Sequence, residues 1–131
     1  MNITTKNGLP FTNLRLVHNN KELMLERILI DTGSAGSIFD VDDLAKIDLL
    51  PEPEDEIHNI VGVGGNEFVI QKRINKIQLG EIELFDFSIE IGAVDYGFNI
   101  QGSLGFDFLF KAKVIIDLSR LQIRSQARSM G

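Results

Sequence analysis

Period-two alternation of apolar and polar residues is the feature that most constrains how this chain can fold. In the segment FDFSIEI, Phe85, Phe87, Ile89 and Ile91 fall on one face, and polar residues fall between them. A half-buried antiparallel strand requires this pattern, because successive side chains point to opposite faces of a sheet. Other apolar runs are separated by turn-forming residues, and we expect β-hairpins over residues 11–30 and 113–124.

Helical signals are short and few. Asp40 can cap a helix over residues 41–47, where Val41, Leu44 and Ile47 recur at helical spacing. A second short helix is expected over residues 106–110, with Asp107 as its cap, and Asp117 is expected at the end of a hairpin. These signals predict a mainly β domain, closed or sandwiched, with one or two short helices.

Length and charge narrow the class of protein. A chain of 131 residues is expected to form one domain spanning residues 1–131. Nucleic acid is disfavoured as a partner, because 13 basic residues are scattered among 19 acidic ones and the net charge is −6. The start MNITTKNGLP lacks a signal sequence and no apolar run is long enough to span a membrane, so we expect a cytoplasmic protein without membrane contact.

The segment ILIDTGSAGS places one carboxylic acid at the end of the most apolar run. Asp31 follows three apolar residues and begins a turn of small residues, Thr32, Gly33 and Ser34, which leaves its carboxylate accessible. Gly33 and Gly36 are expected to adopt backbone angles that other residues disfavour. A proton-transfer role for Asp31 is one interpretation, and the alternative is a simple turn cap, since D-T-G occurs in many loops.

Two further elements make the pattern more specific. A glycine cluster, GVGG, follows about thirty residues after Asp31, and an apolar-Gly pair, Leu104-Gly105, leads into FDFL. With DTGS, these elements resemble the retropepsin-like aspartic proteases of the single-domain bacterial type, over roughly residues 11–124. The resemblance implies a single-lobed closed β-barrel with one or two short helices, which dimerises.

The resemblance also implies roles for particular residues. Asp31 would be catalytic in each of two subunits, Thr32 would join the two loops across the dimer axis, and Gly33 would form the floor of the substrate site with Ser34 supporting the loop. Leu104 and Gly105 would pack beneath that loop. The tip of a flap would be formed by Gly62, Val63, Gly64 and Gly65. No metal ion or organic cofactor is expected.

The chain departs from the viral members of the family at two positions. Those proteases have an Asp two positions after the glycine of the motif, paired with an Arg after the later apolar-Gly pair; here the positions hold Ala35 and Phe106. Both charges are absent together, so neither is left without its partner. The bracing role of that pair is therefore not carried over to this chain.

Peptide hydrolysis by carboxylates requires one acid to accept a proton and another to donate one. The chain contains a single D-T-G, so the sequence predicts a homodimeric aspartic endopeptidase that cleaves an extended polypeptide. Two alternatives stay open: a catalytically silent peptide-binding or dimerisation module, and a processing enzyme dedicated to its own precursor or one partner protein. His18 and His58 lack metal-binding spacing and are expected in surface or turn roles.

Overall fold

Strands dominate the computed structural model, which describes residues 1–62, 65–94 and 99–126. The helices are α1 (Val41–Leu44), continued by a 3₁₀ turn (Ala45–Ile47), and α2 (Phe106–Lys111). The ten strands are β1 (Thr4–Lys6), β2 (Leu9–His18), β3 (Lys21–Ile30), β4 (Ile38–Asp40), β5 (Ile57–Gly62), β6 (Gly65–Leu79), β7 (Ile82–Gly92), β8 (Gly102–Leu104), β9 (Val114–Asp117) and β10 (Gln122–Ser125).

Eight strands form one sheet that closes on itself. The order is β1-β2-β3-β8-β4-β7-β6-β5, and an additional pairing of β2 with β6 joins the two sides. The ring therefore runs β2-β3-β8-β4-β7-β6, with β1 and β5 outside it, and β9 with β10 forms a separate hairpin. This is the expected mainly β, single-lobed closed barrel with two short helices.

The two faces of β3 pack against different clusters. Ile28 and Ile30 belong to the main core, which fills the interior of the ring. Leu29, between them, belongs to a small second cluster with Phe11 and Ile100. The period-two alternation of a strand explains this division, because neighbouring side chains point to opposite faces.

The expected hairpins and the first helix are confirmed. Strand β2 pairs with β3 from Phe11 opposite Leu29 to His18 opposite Lys21, and β9 pairs with β10 beside Asp117. Asp40 caps α1 by accepting a hydrogen bond from the backbone N–H of Asp42. Among the described residues, no helix is both long and apolar enough to cross a membrane.

Two local expectations were wrong. Phe85 is 67% exposed, although Phe87, Ile89 and Ile91 are buried as predicted. Asp86 has a positive φ of 53°, and the buried face of β7 changes phase at this residue. Asp107 is not the cap of α2 either, since Gly105 occupies that position and Asp107 lies inside the first turn.

Candidate active site

Asp31 lies where β3 leaves the core of the barrel. Its backbone N–H donates a hydrogen bond of 2.9 Å to the carbonyl oxygen of Leu104, on the neighbouring parallel strand β8. Burial of Ile28 and Ile30 fixes the strand up to this point, whereas Asp31 itself is only partly buried. The carboxyl group is therefore carried on a rigid strand end but remains open to solvent.

The turn after Asp31 is held by its own hydrogen bonds. Gly33 N–H donates to Asp31 Oδ1 at 3.1 Å, and Ser34 N–H donates to the Asp31 carbonyl at 3.2 Å. Ser34 Oγ donates to the carbonyl oxygen of Gly36 at 2.9 Å. We call residues 31–37 the Asp31 loop.

Space rather than backbone angle distinguishes the two glycines of the Asp31 loop, which corrects the expectation from the sequence. Neither Gly33 nor Gly36 is among the described residues with a positive φ. A Cβ on Gly33 would lie at an ordinary 3.5 Å from Asp31 Oδ1, but one on Gly36 would overlap the carboxyl oxygen Oε1 of Glu90. Gly36 is therefore the more tightly packed of the two, and a side chain there would require the flexible carboxyl group of Glu90 to move.

Leu104 and Gly105 lie directly against the Asp31 loop. A Cβ on Gly105 would overlap the carbonyl group of Gly36 and would lie 2.8 Å from the carbonyl oxygen of Ser34. The next residue, Phe106, donates its N–H to the same Ser34 carbonyl at 2.7 Å. Only a residue without a side chain allows α2 to begin this close to the loop.

A buried hydroxyl group connects the Asp31 loop to α2. Ser37 is fully buried, and its Oγ donates to Asp107 Oδ1 at 2.8 Å while accepting from Gly105 N–H at 2.9 Å. Asp107 Oδ1 also accepts the N–H of Phe108 at 2.7 Å. Ser37 and the bracing role of Asp107 were not predicted, because nothing in the local sequence indicates that residues 70 positions apart meet.

Glu90 on β7 also lies against the Asp31 loop, as Ser37 and Asp107 do, and the sequence did not indicate this contact. Its Oε2 is buried, and the described part of the chain offers it no hydrogen-bond partner. Burial raises the pKa of Glu90, the negative charge of Asp107 raises it further, and His58 acts in the opposite direction. The carboxyl group beneath Gly36 is thus biased towards its neutral form.

Thr32 and the residues that replace the viral charge pair point outwards. Thr32 and Ala35 are exposed. Phe106 is 52% exposed and stacks on Phe110, with ring centroids 5.2 Å apart. An aromatic pair therefore occupies the place where the viral proteases carry an arginine.

The glycine cluster joins two paired strands. β5 and β6 pair from Ile57 opposite Ile70 to Gly62 opposite Gly65, so a hairpin connects them. Val63 and Gly64, which the resemblance places at a flap tip, lie outside the described residues. Strand β6 begins its pairing with β7 at Ile70, opposite Ile91, so the part nearer the glycines pairs with β5 alone.

Among the described residues, no group of three or more acidic, His or Cys side chains is close enough to hold a metal ion. His18 Nδ1 accepts the backbone N–H of Asn75 at 3.3 Å, and burial lowers the pKa of His18. His58 lies 3.3 Å from Glu56 at the surface. Both histidines thus have the surface or turn roles expected of them.

Comparisons with known proteins agree with this geometry. The crystal structure of a retropepsin-like aspartic protease from Rickettsia conorii superposes with a TM-score of 0.66 at 18% sequence identity, covering 94% of this chain and 95% of that one. No curated protein sequence matches the chain. The sequence profile of a family described as aspartyl protease matches residues 15–108, which include Asp31, Gly105 and Ser37. The chain therefore belongs to the aspartyl protease family and has the retropepsin-like fold.

Proposed function

We propose that this protein is a homodimeric aspartic endopeptidase whose active site combines Asp31 of two subunits. The observation that carries the proposal is the placement of Asp31 at the end of β3. Its carboxyl group is partly exposed there, and among the described residues Gly33 N–H donates a hydrogen bond to its Oδ1. One chain supplies one such acid, and twofold association is the commonest way to supply two. The proposal treats residues 1–131 as one protease domain.

The reaction follows from the chemistry of a carboxyl pair. Two carboxylates a few ångströms apart cannot both be ionised, so the pair holds one shared proton. The ionised Asp31 accepts a proton from water while the oxygen of that water attacks the scissile carbonyl carbon, and the partner subunit's Asp31 protonates the carbonyl oxygen. The C–N bond then breaks as the first carboxyl group passes its proton to the leaving nitrogen, while a hydroxyl of the intermediate returns a proton to the partner's carboxylate and the carbonyl group re-forms.

Two features support further parts of the proposal. The exposed hydroxyl of Thr32 makes no hydrogen bond within the described chain, so it is available to a second subunit. Extended strands β5 and β6, joined at Gly62 to Gly65, can cover a substrate that adds to them as a further strand. We assign this hairpin the role of a flap.

Cleavage of a diverse peptide library between about pH 4 and pH 7, analysed by mass spectrometry, tests the proposal. We expect Asp31→Asn to lower the rate by more than about a thousandfold without changing the fold, because the proton acceptor is lost. The wild-type rate should rise more steeply than linearly with enzyme concentration near the dimer Kd. A folded, dimeric wild type that cleaves nothing would refute a general endopeptidase.

A silent peptide-binding or dimerisation module is the second candidate. The absence of the charge pair at Ala35 and Phe106, with the exposed Phe106–Phe110 stack in its place, favours an apolar contact surface that needs no chemistry. Under this alternative Asp31→Asn would bind peptides and dimerise as the wild type does, and neither protein would cleave.

We also propose a cytoplasmic location for this protein. The absence of cysteine from the sequence suits that location.

A further inference from the structure

Three basic side chains of the described residues differ from the others in having no charged or aromatic partner. Seven lysines and arginines form ion pairs, and Lys111 and Lys113 lie over aromatic rings. Lys6, Arg27 and Arg120 have neither kind of contact within the described chain. Arg120 is exposed in the β9–β10 turn, whereas Lys6 and Arg27 share a pocket.

The pocket lies between β1, β3 and Asn99. Its volume is about 140 Å³, and its lining includes Lys6, Arg27, Glu26 and Phe11. Nε of Arg27 is buried and donates to no acceptor in the described chain. Buried donors are almost always paired, so an N–H held in this way calls for an acceptor from outside the chain.

The charge of the pocket indicates the kind of acceptor. Two cations and the single acid Glu26 leave one net positive charge in the lining. A guanidinium group binds carboxylates through parallel hydrogen bonds, and the small volume suits one side-chain carboxylate. A doubly charged group such as a phosphate would be opposed by Glu26.

The position of the pocket connects it to the candidate active site. Arg27, Leu29 and Asp31 alternate along β3 and share one face, while Ile28 and Ile30 point into the core. At about 3.3 Å of rise per residue, Arg27 lies roughly 13 Å from Asp31 along the strand. Between them lies the apolar cluster of Leu29, Phe11 and Ile100.

We propose that Lys6 and Arg27 form a specificity site for an acidic side chain of the extended peptide substrate. An extended peptide covers the same roughly 13 Å in about four residues, so the acidic residue lies three to five positions from the scissile bond. The inference rests on the proposed function for its ligand, a peptide, but binding to the pocket requires no cleavage.

Binding is measured first on the Asp31→Asn protein, with arginine side chains labelled for NMR. The probe is a ten-residue peptide with an apolar central pair and one Glu as its single charged residue. It is compared with the same peptide carrying Gln in place of the Glu. We expect the Nε–Hε resonance of Arg27 to shift with the Glu peptide and to stay unchanged with the Gln peptide, while the Arg120 resonance stays unchanged with both. An Arg27 resonance that does not shift with the Glu peptide at millimolar concentration overturns the proposal. Water would then be the acceptor for the Arg27 Nε–H group.

Cleavage specificity is measured second, with Glu and Gln scanned through every position of the peptide at pH 6. Wild-type enzyme should prefer Glu by about tenfold at a position three to five residues from the cleaved bond, which corresponds to about 1.4 kcal/mol. In Arg27→Met the preference should fall to within about twofold, and added salt should weaken it in the wild type. Arg120→Met removes the same charge and should keep the full preference.

The two measurements separate the two proposals. An Arg27 resonance that responds to the Glu peptide, together with a folded, dimeric wild-type protein that cleaves no peptide, would support the pocket and refute the proposed function. Cleavage with no Glu preference at any position would support the function and refute the pocket. The NMR measurement needs no change at Arg27, so it stands even where Arg27→Met fails to fold.

Discussion

Under the proposed function the Asp31 loop and the β5–β6 hairpin would both arrange groups around a substrate, but they are attached to the barrel in opposite ways. The Asp31 loop bonds to three other elements: Asp31 to Leu104 on β8, Ser37 Oγ to Asp107 on α2, and the Ser37 carbonyl oxygen to the N–H of Glu90 on β7. The hairpin pairs only with itself between Ile57 and Val69. Two of its described side chains, Ile57 and Phe68, are both 70% exposed, whereas Val69 is buried at its base.

Under the proposed function, this difference would combine a fixed reactive group with a movable cover in one small barrel. A carboxyl group that takes part in proton transfer must keep its position, and dense hydrogen bonding to neighbouring strands provides that. A two-stranded ribbon beyond the sheet is only marginally stable by itself and can bend away. An ion pair of Lys72 with Glu52 and Asp55, at 2.6 and 2.9 Å, ties the base of the hairpin to the loop before it.

The largest effect on the Asp31 loop is expected from Gly105→Ala. The added methyl group would overlap the Gly36 carbonyl, so we expect a loss of about 1–3 kcal/mol in unfolding free energy and disruption of the loop. Gly33→Ala is the matched control, since its Cβ meets nothing closer than 3.5 Å, and its unfolding free energy should change by less than about 0.5 kcal/mol. Equal destabilisation of the two variants in thermal unfolding would contradict the packing argument.

The second-largest loss of unfolding free energy is expected from Ser37→Ala. Removal of Oγ leaves the buried N–H of Gly105 without its acceptor and takes a donor from Asp107, at a cost of about 1–3 kcal/mol. Ser119→Ala removes a hydroxyl that also donates to an aspartate, Asp117, but at an exposed turn, and it should be nearly neutral. Urea unfolding of both variants checks this, and a stable Ser37→Ala would show that the hydroxyl does not brace the loop.

Glu90→Gln should change the pH dependence of stability. Because burial and the charge of Asp107 raise the pKa of Glu90 in the folded state, the folded protein retains a proton that the unfolded chain has released. Stability therefore falls as the pH rises from the ordinary glutamate value of 4.5 through the raised folded pKa, and is fully present below 4.5. Glu90→Gln should flatten this fall in melting temperatures between about pH 4 and pH 7.

Glu83→Gln, on the same strand but exposed beside Lys76, is the control for that experiment. Its melting temperature should follow the wild-type pH dependence. Identical slopes for wild type and Glu90→Gln would mean that the pKa of Glu90 is the same in the folded and the unfolded chain.

The smallest effect on stability is expected from Lys72→Met, which acts on the hairpin and not on the Asp31 loop. Loss of the ion pairs to Glu52 and Asp55 should speed amide hydrogen exchange in β5 and in the paired part of β6, with little change in melting temperature. Lys46→Met, which breaks the exposed pair with Asp43, should leave exchange in the hairpin unchanged. Faster exchange in the Asp31 loop as well would show that the two regions are coupled.

Local patterns were sufficient to predict much of this structure. Alternation located the strands around Phe87 and Ile89, and Asp40 marked the start of α1, because both signals depend on residues close in sequence. The same rules were wrong at Phe85 and Asp107. In the first case a positive φ at Asp86 coincides with a change of phase in β7, and in the second Gly105, which packs against the Asp31 loop, occupies the cap position of the helix.

The sequence by itself determined a mainly β fold and the position of Asp31, at the end of an apolar strand and before a turn of small residues. Only the tertiary structure decided what surrounds that acid. The strand pairings and the packing of α2 bring together Ser37 with Asp107 and Gly36 with Glu90, and they place Lys6 and Arg27 on one pocket. These pairs are distant along the chain, and no local propensity encodes such contacts, because they exist only once the long-range strand pairings have formed.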